Sequence, residues 1–189
     1  LKSINNFNKN KKFSIHKTIY SFVNNKVLIK SLLLWLRISF KNFFEAEFKV
    51  NDIEFHFSFN SFLKSDLNDF LVGKSLFKSI FYLNIFHQIF KNLDKDSKCF
   101  YLCENQFWES SLNNSWKKLG LGNTYGVLHT IVKDWDLRYF DNYKFSLLID
   151  SLYKSKPTNY IVNSSYAFEK IKPFILPNQI IILADALRF

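Results

Sequence analysis

Glu104, Asn105 and Gln106 stand together between a short apolar run, Lys98–Cys103, and an amphipathic run, Phe107–Leu119. A carboxylate beside two amides can bind sugar hydroxyls, and held in a crevice it can take a proton as a general base. On an open surface the same residues only cap a helix. His129 closes the segment Gly126-Val127-Leu128-His129-Thr130; imidazole exchanges a proton near neutral pH, although a lone histidine is often structural. Asp134-Trp135-Asp136-Leu137-Arg138-Tyr139-Phe140 joins aromatic rings to paired charges. Such a loop could stack on a sugar ring or close over a site. The plainer alternative is an Asp–Arg pair pinning a loop to the core. No spacing of His, Cys, Asp and Glu matches a metal-binding set.

The elements that must position these residues follow from periodicity. Lys98–Cys103 suits a buried strand, which puts Glu104 at its carboxyl end. In open α/β sheets ligands bind at that edge. Asn105 or Gln106 can then serve the free N–H groups at the start of the next helix. That helix carries Trp108, Leu112, Trp116 and Leu119 on one face, with Gly120 placed to end it. Thr124–Val132, Asn159–Val162 and Gln179–Leu183 read as further strands, and Phe145–Tyr153 and Tyr166–Pro173 as helices. Strand alternating with helix at this spacing predicts parallel βαβ units and an α/β sheet.

The first half differs. Apolar residues from Ile15 to Phe48 recur at steps of three and four, predicting helix over Lys26–Phe44. Val50–Phe59 alternates with period two, as in a strand with one buried face. Asn60–Phe70 fits helix or loop, and Ser75–Asn92 a strongly apolar helix. The division expected is a mostly helical, basic region with one short strand over 1–95, and a Rossmann-like half-domain over 96–189.

Charge is uneven. Residues 1–50 carry ten Lys or Arg against Glu45 and Glu47, a net +8 out of +10 for the chain of 189 residues. Such an end suits phosphate-bearing partners or the surface of an inner membrane, although lysine drift on solvated faces gives the same count. The apolar run around Leu32–Leu36 is bracketed by Lys30, Arg37 and Lys41 and is too short to span a bilayer. Cys99 and Cys103 are the two cysteines. They would lie on one face of a strand but too far apart along it to pair easily. A reducing, cytoplasmic setting fits them best, peripheral to the inner membrane if the basic end binds there.

Three of the four Trp and three of the four Gly fall between Glu104 and Arg138, in a chain otherwise rich in Phe, Lys and Asn. The stretch from Tyr101 to Phe140 resembles the most characteristic segment of a bacterial surface-carbohydrate biosynthesis glycosyltransferase family. The matching residues are Glu104, Asn105, Gln106, Trp108, Glu109, Trp116, Gly126, Val127, His129, Trp135, Asp136, Leu137, Arg138, Tyr139 and Phe140, with Ala186-Leu187-Arg188-Phe189 similar to a closing element. Leu128 stands where the family pattern has glutamine, and Lys133 where it has arginine. The resemblance implies two facing Rossmann-like domains, the GT-B arrangement, of which this chain would supply the acceptor-side, N-terminal half. The partners implied are a nucleotide sugar and a glycan acceptor, with the donor bound mainly by a second domain expected beyond Phe189. No cofactor or metal is implied, because the nucleotide sugar is a substrate. Glu104 and His129 would be catalytic, and Asn105, Gln106, Trp135, Asp136 and Arg138 would bind substrate.

A different class competes: a non-catalytic basic subunit holding RNA phosphates in a ribosome-like assembly, or an inactive transferase remnant. Nucleic acid is disfavoured because the positive charge lies outside the motif-bearing half, which lacks the aromatic pattern of an RNA-binding sheet.

Overall fold

The computed structural model describes residues 16–45, 60–104, 106–128, 132 and 154–184. The chain divides into two units, Leu1–Ile89 and Phe90–Phe189.

The first unit is helical where described. A 3-10 turn, Ile19–Phe22, precedes helix α1, Asn25–Glu45; α2 spans Asn60–Leu71 and α3 spans Lys74–Phe90. The Asn24 side chain opens α1 by accepting the Val27 N–H at 2.9 Å, which satisfies one free donor of the first turn. Asp69 joins α2 to α3 in the same way, accepting the Lys74 N–H at 2.8 Å and the Ser75 hydroxyl. That hydroxyl holds the Asp69 carboxyl below the usual carboxylate range. The helices expected at Lys26–Phe44 and Ser75–Asn92 are present within two residues at each end, and Asn60–Leu71 resolves as helix. The strand expected at Val50–Phe59 lies outside the described residues.

α1 packs by an unusual face. Val27 and Ser31 are buried, the Ser31 hydroxyl accepts from the Asn84 amide of α3 at 3.0 Å, and Trp35 donates its indole N–H to the Val72 carbonyl at 3.0 Å. The Trp35 ring meets Phe77 edge-on at 6.1 Å. Leu28, Ile29, Leu32, Leu33 and Leu36 are left exposed. Among the described residues, no helix is long and apolar enough to cross a membrane.

The second unit holds a four-stranded parallel sheet in the order β1-β2-β3-β4. Its strands are β1 Cys99–Leu102, β2 Thr124–Val127, β3 Asn159–Val162 and β4 Ile180–Leu183. Helix α4, Phe107–Lys118, joins β1 to β2, while α5, Ser165–Ile171, and a 3-10 turn, Lys172–Phe174, join β3 to β4. The α/β reading of this half therefore holds. β2 is shorter than the expected Thr124–Val132: Leu128 and Val132 lie outside any strand. Among the described residues the final bond between the β1 and β2 chains runs from the Cys103 N–H to the Val127 carbonyl, and the chain bends at Glu104. The predicted helix at Tyr166–Pro173 tightens into the 3-10 turn at its end, since Pro173 has no N–H to continue the ladder. The helix expected at Phe145–Tyr153 lies outside the described residues.

Parallel crossovers are right-handed, so strands laid down in one direction carry their helices on one face. Burial follows this for most positions: Tyr101, Gly126 and Val162 share one face and are buried, and Phe100, Leu102, Ile180 and Ile182 point the other way and are exposed, while Leu183 on the first face is exposed and Asn159 on the second is buried. The described strands thus form a one-way half-sheet with no reversal of order. The crevice of a doubly wound sheet opens at such a reversal, so the coarse α/β class stands and the finer Rossmann assignment does not follow.

The amino edge of this sheet is locked. The Thr124 hydroxyl accepts the Thr158 N–H at 2.9 Å, and the Thr124 N–H donates to the Thr158 hydroxyl at 3.2 Å. Gln179 donates to the Pro157 carbonyl at 2.6 Å. Nearby, Lys117 donates from Nζ to the Lys156 carbonyl at 2.6 Å, and burial depresses its amine to about 8. Between about 8 and the unfolded value of 10.5 the native chain therefore binds fewer protons than the unfolded one, so this group makes stability rise with pH across that window. The difference in urea midpoint between the wild-type chain and Lys117→Met should grow in favour of wild type from pH 8 to pH 10. A difference that stays flat across those pH values would contradict the assignment.

Candidate functional site

The carboxyl ends of the four strands form one edge. The Cys103 N–H reaches the Val127 carbonyl at 2.8 Å, the Leu128 N–H reaches Ile161 at 2.8 Å, and the Ala184 N–H reaches Val162 at 2.9 Å. Glu104 therefore leaves β1 at the carboxyl edge of the sheet, and its side chain is half-buried.

The backbone around Glu104 is held by a residue that spacing alone did not single out. Glu109, in the first turn of α4, is buried, and its Oε1 accepts the Glu104 N–H at 2.8 Å and the Gln106 N–H at 2.7 Å. One carboxylate oxygen thus holds the backbone at both Glu104 and Gln106. Gln106 takes the N-cap position with extended backbone, and Glu109 sits at the third helical position of a capping box. The pattern was present in the sequence, disguised by a glutamine where Ser or Thr usually stands.

Below this turn lies a buried polar chain. Asn113 is fully buried, and its amide nitrogen donates to the Tyr101 hydroxyl at 2.8 Å and to the Glu109 carbonyl at 3.0 Å. Its Oδ1 has no hydrogen-bond partner among the described residues. Burial drives the Tyr101 phenol well above its ordinary range, so it remains a neutral donor or acceptor. The Tyr101 ring meets Trp108 edge-on at 6.0 Å. β1 and α4 are thereby tied directly beneath Glu104.

Several residues of the motif have packing roles. Trp116 is 2% exposed, donates its indole N–H to the Gly122 carbonyl at 2.6 Å, and receives the edge of Phe90 at 4.9 Å. Gly120, with φ of 64°, ends α4 in the left-handed conformation that glycine adopts without strain. A Cβ on Gly126 would stand 3.1 Å from Pro157 and 3.3 Å from Cys103, so a side chain there would have to push these neighbours back by a few tenths of an ångström.

Of the candidate site residues, Glu104 and Gln106 are described: both flank the turn at the carboxyl edge, Glu104 half-buried and Gln106 exposed. Asn105, His129, Trp135, Asp136 and Arg138 lie outside the described residues. Leu128, one residue before His129, is buried at 1% exposure beside the same edge. Cys99 and Cys103 are free thiols, and burial pushes Cys99 up to about 11, which keeps it protonated and unreactive near neutral pH.

Chemically, this turn can offer a carboxylate with a fixed backbone and an exposed amide to a polyhydroxylated ligand. If that fixing is what Glu109 does, Glu109→Ala should leave the two N–H groups unserved and cost about 1–3 kcal/mol. Thermal unfolding followed by circular dichroism reads this directly; an unchanged midpoint would show that water replaces the carboxylate without loss. No family model, curated protein or solved structure matches the chain.

Proposed function

We propose that the Phe90–Phe189 unit is the acceptor-side part of a cytoplasmic glycosyltransferase that builds bacterial surface carbohydrate. The observation that carries the proposal is the turn Glu104–Gln106, held at the carboxyl edge of a parallel sheet by the buried Glu109 carboxylate. The resemblance of the segment from Tyr101 to Phe140 to such transferases supplies the reaction class.

In this mechanism an acceptor hydroxyl attacks the anomeric carbon of a nucleotide sugar. The new carbon–oxygen bond forms as the bond to the nucleoside diphosphate breaks. Glu104 or His129 takes the hydroxyl proton. Asn105, Gln106 and Asp136 hold sugar hydroxyls, Trp135 stacks on a ring face, and Arg138 grips a phosphate or carboxylate through two parallel hydrogen bonds. The nucleotide part of the donor belongs mainly to a second domain in this arrangement. The proton is the step this chain's residues handle, so Glu104→Ala and His129→Ala test it. Measured as release of nucleoside diphosphate in a transferase containing this unit, Glu104→Ala should slow transfer strongly, and His129→Ala as strongly only where imidazole is the base; undiminished transfer in both variants would remove both residues from the mechanism.

A further inference from the structure

We propose that α1 lies along an anionic lipid bilayer with its leucine face in the headgroup region. This inference is independent of the transferase reading, because it concerns the first unit alone.

α1 uses its less apolar side for packing. Ser31 is fully buried under the Asn84 amide, Trp35 and Asn42 donate to the Val72 and Leu71 carbonyls, and Val27 is 4% exposed. The helix is thereby fastened to α2 and α3, with Leu34 and Ile38 half-buried on the same side, while five of its large aliphatic residues stay exposed on the other. Leu28, Ile29, Leu32, Leu33 and Leu36 fall on one arc of roughly 140° at 3.6 residues per turn. Ile29 is 58% exposed, Leu33 61% and Leu36 49%. A contiguous apolar face of this kind marks an interaction surface more often than chance exposure does.

Charge identifies the occupant. Lys26, Lys30 and Arg37 border the arc along one side, and Glu45, at the last residue, is the sole acid of α1. A leucine face edged by basic residues is the pattern of a helix lying in the plane of a membrane: the apolar side chains enter the boundary, and the long basic stems reach up to lipid phosphates. The 21 residues of α1 include too many charges for a span, and no described helix meets the requirement for one. A second copy of the chain fits less well, because pairing two such faces brings basic border against basic border with no acid to answer it.

The test uses the full chain and vesicles of two kinds, phosphatidylcholine alone and phosphatidylcholine mixed with phosphatidylglycerol. The chain should co-sediment with the mixed vesicles and much less with the neutral ones, and added salt should weaken binding. Leu33→Glu and Leu36→Glu should each lower the partition coefficient about tenfold or more, and Lys30→Ala about fivefold, with thermal midpoints unchanged because these side chains are exposed. Failure to bind mixed vesicles, equal binding to neutral ones, or binding unaffected by Leu33→Glu would overturn the proposal. So would a lowered thermal midpoint in Leu33→Glu, which would mean the face is covered within the chain. A dimer in solution that Leu33→Glu dissociates would assign the face to a second copy and overturn it as well.

Discussion

Trp116→Ala is expected to cost the Phe90–Phe189 unit about 3–5 kcal/mol, more than any other single change considered for its stability. Trp116 fills the space between α4 and Phe90, and its indole N–H is spent on the Gly122 carbonyl at 2.6 Å. Truncation removes a buried aromatic ring and leaves that carbonyl unpaired, and the walls cannot close on the gap. A Cβ on Gly122 would stand 2.6 Å from the Ser97 carbonyl, so the segment that accepts the indole N–H packs closely on the chain before β1. For a unit of about a hundred residues, the thermal midpoint should fall by roughly 15–30 °C. Trp116→Phe keeps a ring against Phe90 but loses the hydrogen bond, and should cost about 1–3 kcal/mol. A fall of less than about 5 °C in Trp116→Ala would show that the ring is not the keystone of this core.

Glu104→Ala is expected to slow glycosyl transfer by about 10²–10⁴, the range a positioned general base contributes. The effect should appear in kcat, because a group that takes the proton acts in the transition state, and the thermal midpoint should not move. Glu104 is half-buried and its backbone N–H is bonded to Glu109, so removal of the side chain leaves the turn intact. His129→Ala should show a loss of similar size if imidazole is the base, and a much smaller one if it is not. The pH profile separates the two: the variant that retains the base keeps the acidic limb of the rate profile, and the other loses it. Glu104→Gln preserves shape and hydrogen bonding but not basicity, so its rate should resemble that of Glu104→Ala. A Glu104→Gln variant as active as wild type would reduce the carboxylate to a binding group.

Much of the second unit was legible in the sequence because local pattern and tertiary burial agree there. The β3 segment Asn159–Val162 emerged at its observed limits, and α4 within one residue, since Trp108, Leu112 and Trp116 repeat at helical spacing and Gly120 follows. What escaped was of two kinds. Among the described residues the final bond between β2 and the β1 chain falls at Val127, a non-local fact that the apolar run through Val132 conceals. The role of Glu109 was hidden because capping boxes are recognised by Ser or Thr at the first position, and Gln106 stands there. The face by which α1 packs was not legible either: apolar spacing gives the helix, but the hydrogen bonds of Ser31, Trp35 and Asn42 that fasten it are long-range. Glu104 was legible as a candidate from its residue type and position; the hold that the Glu109 carboxylate keeps on its backbone was not.

In the transferase proposed above, the carboxyl edge of β1 binds carbohydrate through Glu104. The most direct measurement is a titration of the isotopically labelled chain with acceptor-type oligosaccharides of hexose and N-acetylhexosamine, read by amide chemical shifts. The predicted result is a saturable shift of the amides from Cys103 to Phe107, abolished in Glu104→Ala while the rest of the spectrum stays native. Shifts that spare this turn, or that persist unchanged in Glu104→Ala, would contradict the account.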